Sequence, residues 1–163
     1  IASLGDSNLV GVKLADNARV VVASPGYLKR HGRPRTLGDL AHHNCLAISS
    51  EGSQRGWSFR DSHKTVTLKV AGNMVCNDGE VLHDWALEGK GLAWRSMWEV
   101  GAQIEAGRLV TVLDEYAAPG NDIYAVFAQY RHLPLRIRAF VDFLRRAYAH
   151  PDYWRSEIKP VQQ

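Results

Sequence analysis

The sequence predicts an α/β fold, and three features point to it. β-branched runs alternate with short helical stretches, residues 75–94 spell a strand, a helix and a second strand, and the stretch from Pro134 to Tyr148 reads as a long amphipathic helix. At 163 residues, with 45% hydrophobic and 23% charged residues, the chain has the size of one ordinary domain or two small lobes with a real core.

Each element has a local signal. Residues 9–14 (LVGVKL) and 19–24 (RVVVAS) are strand runs around the turn signal Ala15-Asp16-Asn17, which makes them a hairpin or one long bent ribbon. Pro25 ends strand pairing because it has no N–H to give. Tyr27 to His31 follow as a short helix stopped by Gly32, and Thr36 caps a second over residues 36–41 with Asp39 three positions on. Cys45 to Ser49 read as a short apolar strand, residues 50–56 as a Gly/Ser loop and Trp57 to Arg60 as an edge strand. Residues 65–76, with Val66, Leu68 and Val70 alternating, read as one further strand. Past the central stretch, a short helix closes at Glu105 to Gly107, residues 108–113 form a strand, residues 117–122 a loop and residues 123–128 (IYAVFA) a strong apolar strand. The final helix, opened by Pro134, puts Ile137, Phe140, Val141, Leu144 and Tyr148 on one face. Arg136, Arg138, Arg145 and Arg146 lie mostly off it, as a solvated outer face does.

The central stretch, VCNDGEVLHDWALEGKGLAWRSMW, holds the candidate binding residues. Asn77 is a favoured N-cap with Glu80 three residues on, and Val81, Leu82, Trp85 and Ala86 form an apolar helical stripe ended by Gly89 and Gly91. A strand on each side makes this a crossover unit with parallel strands, and ligands of such units gather at the carboxyl ends of the strands. Asn77, Asp78, Gly79 and Arg95 fall at that edge. A helix N-terminus offers unpaired N–H groups, Gly79 permits close approach, and Arg95 brings a planar fixed charge suited to a carboxylate. The plainer alternative is a cap, a dipole partner, a small residue and a solvated arginine.

Composition excludes several classes. The net charge of +3 is diffuse, so nucleic-acid binding does not follow from it, and no apolar run reaches the roughly 18 residues of a membrane span. Cys45 and Cys76 sit in apolar surroundings and read as two reduced core thiols rather than a disulfide, which favours the cytoplasm. No nucleophile elbow, phosphate-binding loop or zinc-ligand spacing occurs, so the chain is expected to be neither an enzyme nor the holder of a cofactor or metal. A start without Met or a signal-peptide pattern suggests a piece of a longer polypeptide.

The blocks RVVVASPGYLKRHGRPRTLGDLAHHNCLAIS, VCNDGEVLHDWALEGKGLAW, AGRLVTVL and IYAVFAQYRHLPLRIRAFVDFL, in that order and spacing, resemble the effector-binding region of LysR-type transcriptional regulators from near residue 2 to near residue 148. The resemblance implies a two-lobed fold like the type 2 periplasmic binding proteins, with crossing hinge strands, an incomplete first lobe and a small effector between the lobes. Residues 1–23 and 122–163 would be remnants of lobe one and residues 24–121 lobe two. The winged helix-turn-helix that meets DNA, with its linker helix, would precede Ile1. Ser49 and Ser50, at the end of their strand, and the Asn77-Asp78-Gly79 corner correspond to ligand-facing edges of the family, although turn chemistry alone would also explain the serines.

Many members carry a Leu-Pro pair where this chain reads Trp94-Arg95-Ser96-Met97-Trp98, which points to a different, anionic effector, with Trp57, Trp94 or Trp98 lining the approach. The expected partners are therefore a small carboxylate, a second copy in a homodimer or homotetramer, and DNA only through the preceding helix-turn-helix, with no membrane. A solute-binding protein of a transporter shares the architecture and is the alternative.

Overall fold

Side-chain alternation along three strands builds the principal core. The computed structural model describes residues 9–48, 56–117, 122–128 and 134–149. Its elements run β1 (Leu9–Ala15), β2 (Arg19–Ala23), α1 (Pro25–His31), β3 (Cys45–Ile48), β4 (Gly56–Asp61), β5 (Lys64–Lys69), β6 (Val75–Cys76), α2 (Gly79–Leu87), β7 (Leu92–Ser96), α3 (Met97–Glu105), β8 (Val110–Val112), β9 (Ile123–Ala128) and α4 (Leu135–Ala147), with short 3-10 turns at Leu37–His42 and Asp114–Tyr116. Two compact units result, Ala18–Pro119 and Ile1–Asn17 with Gly120–Gln163.

In the larger unit a five-stranded sheet has the order β6-β3-β7-β2-β8. β3 is parallel to both β6 and β7, whereas β2 is antiparallel to β7 and β8. The crossover strands β6 and β7 are thus parallel as expected, but β3 lies between them. Continuous apolar runs such as Val20-Val21-Val22-Ala23 are needed because the central strands are covered on both faces. On one face Val21, Ala23, Cys45 and Leu92 meet Tyr27 of α1, Leu40, Trp57 and Phe59. On the other, Val20, Val22, Leu46 and Ala93 meet Leu82 and Ala86 of α2, Val100 of α3 and Leu109. Trp57, expected near the ligand, is a core residue, 4% exposed.

Helix ends follow the sequence signals. Ser24 Oγ accepts from the Tyr27 N–H at 3.2 Å, Pro25 occupies the first turn, and Gly32 at φ 82° stops α1. The segment after Thr36 is a 3-10 turn, closed by the Asp39 carboxylate accepting from the N–H groups of Arg35 and Thr36 at 2.8 and 2.9 Å. Those two donors hold the Asp39 carboxyl below its ordinary range.

Two expectations need correction. β1 and β2 are not a hairpin, since β1 pairs with β9 and β2 lies in the five-stranded sheet. Residues 65–76 are two strands in different sheets, β5 in a hairpin with β4 and β6 beside β3. Between the two strands lies Gly72, where an added Cβ would lie 2.1 Å from the Cys45 carbonyl oxygen, so the chain presses there directly on the backbone of β3. The short helix expected to close at Glu105 to Gly107 is present as the nine-residue α3, which starts directly after Arg95 and Ser96 and ends at Glu105.

In the smaller unit β1 and β9 pair antiparallel from Leu9 with Ala128 to Ala15 with Ile123, and Lys13 joins Asp122 at 2.7 Å. α4 packs on β1. Its buried face centres on Val141, with Ile137, Leu144 and Tyr148 partly covered, but Phe140 is 60% exposed and does not share it. Among the described residues no helix is long and apolar enough to cross a membrane.

Both cysteines are free. Cys45 is fully buried, and burial pushes its thiol up to about 12, while Cys76 is partly exposed with its thiol directed at the Asp78 carbonyl, 3.1 Å away. Thiol titration of the folded protein at mildly alkaline pH should therefore count Cys76 alone, with Cys45 reacting only after denaturant is added. Two fast thiols before unfolding would contradict this packing.

Candidate functional site

Strand direction decides which residues meet. β3, β6 and β7 are parallel and end at one edge of the sheet, where antiparallel β2 begins, with Arg19 opposite Ser96. α2 follows β6 and α3 follows β7, so both helix N-termini lie at that edge. Asn77, Asp78, Gly79 and Arg95 are accordingly gathered there. Ser49 and Ser50 lie outside the described residues; β3 is described as far as Ile48, which pairs with Cys76.

Asp78, not Asn77, caps α2. Its Oδ1 accepts from the N–H groups of Glu80 and Val81 at 2.7 and 3.3 Å. Asn77 is exposed one residue earlier. The helix end expected to receive an anion thus already carries a carboxylate, matched to its dipole.

Arg95 is 4% exposed, so it is not a solvated residue. Its Nη2 lies 3.1 Å from Oε2 of Glu99, and the same oxygen accepts from the Ser96 N–H at 3.1 Å, which ties the arginine into the N-terminal box of α3. A Cβ at Gly79 would come within 2.7 Å of Arg95 Nη2, so the space beside that glycine is taken up by the guanidinium. Arg95 Nε is buried and has no hydrogen-bond partner among the described residues.

Arg19 is the residue that sequence reasoning missed. Trp94 is two residues before Ser96 and so shares its face, which places the Trp94 ring under Arg19, with the guanidinium carbon 4.0 Å from the ring centroid. Arg19 Nε is also buried and unpartnered among the described residues. Burial pulls the Arg19 guanidinium below its ordinary value, with Glu99 opposing that shift and the charge of Arg95 adding to it. Only knowledge of the β2–β7 pairing could have revealed this contact.

Beyond Arg95, an open groove of about 750 Å³ runs between α2 and α3. Asp78, Glu80, Asp84 and Glu99 face Arg95 and Arg108 in it, with His83 on its wall and Trp98 at 48% exposure. Burial, and then the charge of Arg95, hold the His83 imidazole below its ordinary value. Among the described residues no cluster of His, Cys, Asp and Glu could hold a metal ion.

Comparison with known proteins agrees with this architecture. The LysR substrate binding domain family matches residues 2–149. The HTH-type transcriptional regulator DmlR of Escherichia coli is 39% identical over 143 residues, which are 87% of this chain and 46% of DmlR. The HTH-type transcriptional activator TtdR of the same species is 37% identical over 132 residues, 80% of this chain and 42% of TtdR. The chain thus spans just under half the length of these relatives. Among solved structures, the regulatory domain of CrgA from Neisseria meningitidis superimposes with a TM-score of 0.77 at 32% identity, covering 90% of this chain and 72% of that one. The regulatory domain of AphB from Vibrio vulnificus gives 0.72 at 28% identity, covering 88% and 70%. These regulatory domains have the type 2 periplasmic-binding-protein-like fold. With residues 2–149 matched to the family and the fold superimposing on those regulatory domains, this chain belongs to the LysR-type transcriptional regulators, as their substrate-binding, effector-binding domain.

Proposed function

We propose that the effector of this domain is a small carboxylate, held at the sheet edge where Asn77, Asp78, Gly79 and Arg95 gather, with Ser49 and Ser50 as further ligand-binding residues. A charge imbalance carries this reading. Two guanidiniums lie at one edge, Arg95 buried and Arg19 half-buried, each with its Nε enclosed, and among the described residues Glu99 is the one carboxylate ion-paired with either. A desolvated cation without a partner costs free energy that a bound anion offsets. Effector binding biases the arrangement of a homodimer or homotetramer, in the bacterial cytoplasm, and through it a helix-turn-helix elsewhere in the polypeptide. The naming of DmlR and TtdR as HTH-type regulators supports this over a transporter's solute-binding protein.

Calorimetry on the full-length polypeptide with a series of small acids, each beside its primary amide, tests the proposal. The acids should bind and their amides bind at least about tenfold more weakly, the loss of one charge-assisted hydrogen bond. Asp78→Asn, which keeps a good cap, should leave acid affinity unchanged or raise it. Amides that bind as well as the acids would end the anion reading.

A further inference from the structure

The two arginines at the edge are not equivalent, and their difference assigns roles. Arg95 already has an internal acid, since Glu99 pairs with it and caps α3 with the same oxygen. On that face of the sheet an incoming anion also meets Asp78, Glu80 and Asp84, against Arg108 as the only other guanidinium lining the groove among the described residues. Repulsion there opposes an acid. Arg19 belongs to the opposite face, with Val21 and Trp94. There the acid lining the same cavity of about 10 Å³ is Asp114, and Asp114 accepts from Thr111 Oγ at 2.9 Å rather than pairing with Arg19. Arg19 is half-buried with Nε enclosed, and among the described residues no carboxylate forms an ion pair with it.

We infer that Arg19, laid flat on Trp94, makes the direct contact with the effector's acid group and sets its specificity, while Arg95 is a positioning residue that ties the N-termini of α2 and α3 to the sheet. This rests on the reading of an anionic effector. Stacking fixes the plane of the guanidinium before the ligand arrives, so less rotamer freedom is lost on binding and a planar carboxylate is favoured over a spherical anion. At Arg19 the charge of Glu99 is opposed by that of Arg95.

The test uses acetate, succinate, benzoate and inorganic phosphate as probes of the full-length polypeptide, read by calorimetry and tryptophan fluorescence. The tightest acid should lose about 30-fold in affinity in Arg19→Gln, as for a charge-assisted pair, and about fivefold in Arg19→Lys, which keeps the charge but not the fork. In the unaltered protein, the same acid at saturation should slow phenylglyoxal modification of Arg19, located by peptide mass spectrometry, by at least about fivefold. That measurement decides the matter if Arg19→Gln does not fold. Affinity within about threefold in Arg19→Gln, or modification of Arg19 that the acid leaves unslowed, overturns the assignment while the anion reading stands. If no acid binds the unaltered protein, both fall together.

Discussion

Arg95→Ala is expected to lower the stability of the larger unit by about 3 to 5 kcal/mol, the range for stripping one partner from a buried ion pair. Alanine removes a side chain that is 5% exposed, opens space beside Gly79 and leaves Glu99, itself 22% exposed, without its cation. Glu99 still accepts from the Ser96 N–H and can relax toward water, which favours the lower end of the range. A double-mutant cycle with Glu99→Ala isolates the pair: the double variant should recover about 1 to 3 kcal/mol relative to the sum of the single losses. Chemical denaturation midpoints measure all four proteins. An Arg95→Ala midpoint equal to that of the unaltered protein would mean that the pair behaves as a solvated surface bridge.

Gly72→Ala should cost at least about 3 kcal/mol, beyond ordinary overpacking, because the new methyl group meets backbone that cannot rotate away. Its Cβ would lie 2.1 Å from the oxygen and 2.8 Å from the carbon of the Cys45 carbonyl. Retreat is blocked on both sides, since the Cys45 N–H donates to the Ala71 carbonyl at 3.0 Å and the Asn73 N–H to Asn44 Oδ1 at 2.9 Å. Relief would have to displace β3, on which both β6 and β7 pair. Thermal unfolding followed by circular dichroism checks this. A melting temperature within about 2 °C of the unaltered protein would show that β3 has room to give.

That glycine also marks where sequence reading stops. The alternation through Val66, Leu68 and Val70 is a local signal, and nothing local says that residue 72 must press against a strand begun 27 residues earlier. Signals confined to one turn were legible: Gly32 as a stop, Thr36 with Asp39 as a closed box, the apolar run of β9. Asn77 and Asp78 are both favoured caps one residue apart. Which one serves is set by the helix phase that brings Leu82 and Ala86 onto the sheet, and burial fixes that phase. At the candidate site, Arg95 was singled out by its departure from the family pattern. Its pairing with Glu99 follows from a helix start placed two residues after it, which sequence reading did not mark. Arg19 looked like the first residue of a strand. Its contact with Trp94 exists only because β2 and β7 are antiparallel neighbours in one register.

The pairing of β1 with β9 bears on how the protein is made. The Asn17 N–H donates to Asp122 across 105 residues of sequence, and the entire larger unit lies between the two positions. A ribosome adding about 5 to 20 residues per second needs roughly 5 to 20 s to cover that interval. During that time β1 is already synthesised while its partner strand does not yet exist. The larger unit, continuous in the chain, can close on itself as it emerges, but the smaller one must wait for the return of β9 and α4. The waiting strand is where a nascent chain of this protein presents an open edge, so chaperone engagement and misassembly during synthesis should concentrate at β1 and not in the five-stranded sheet.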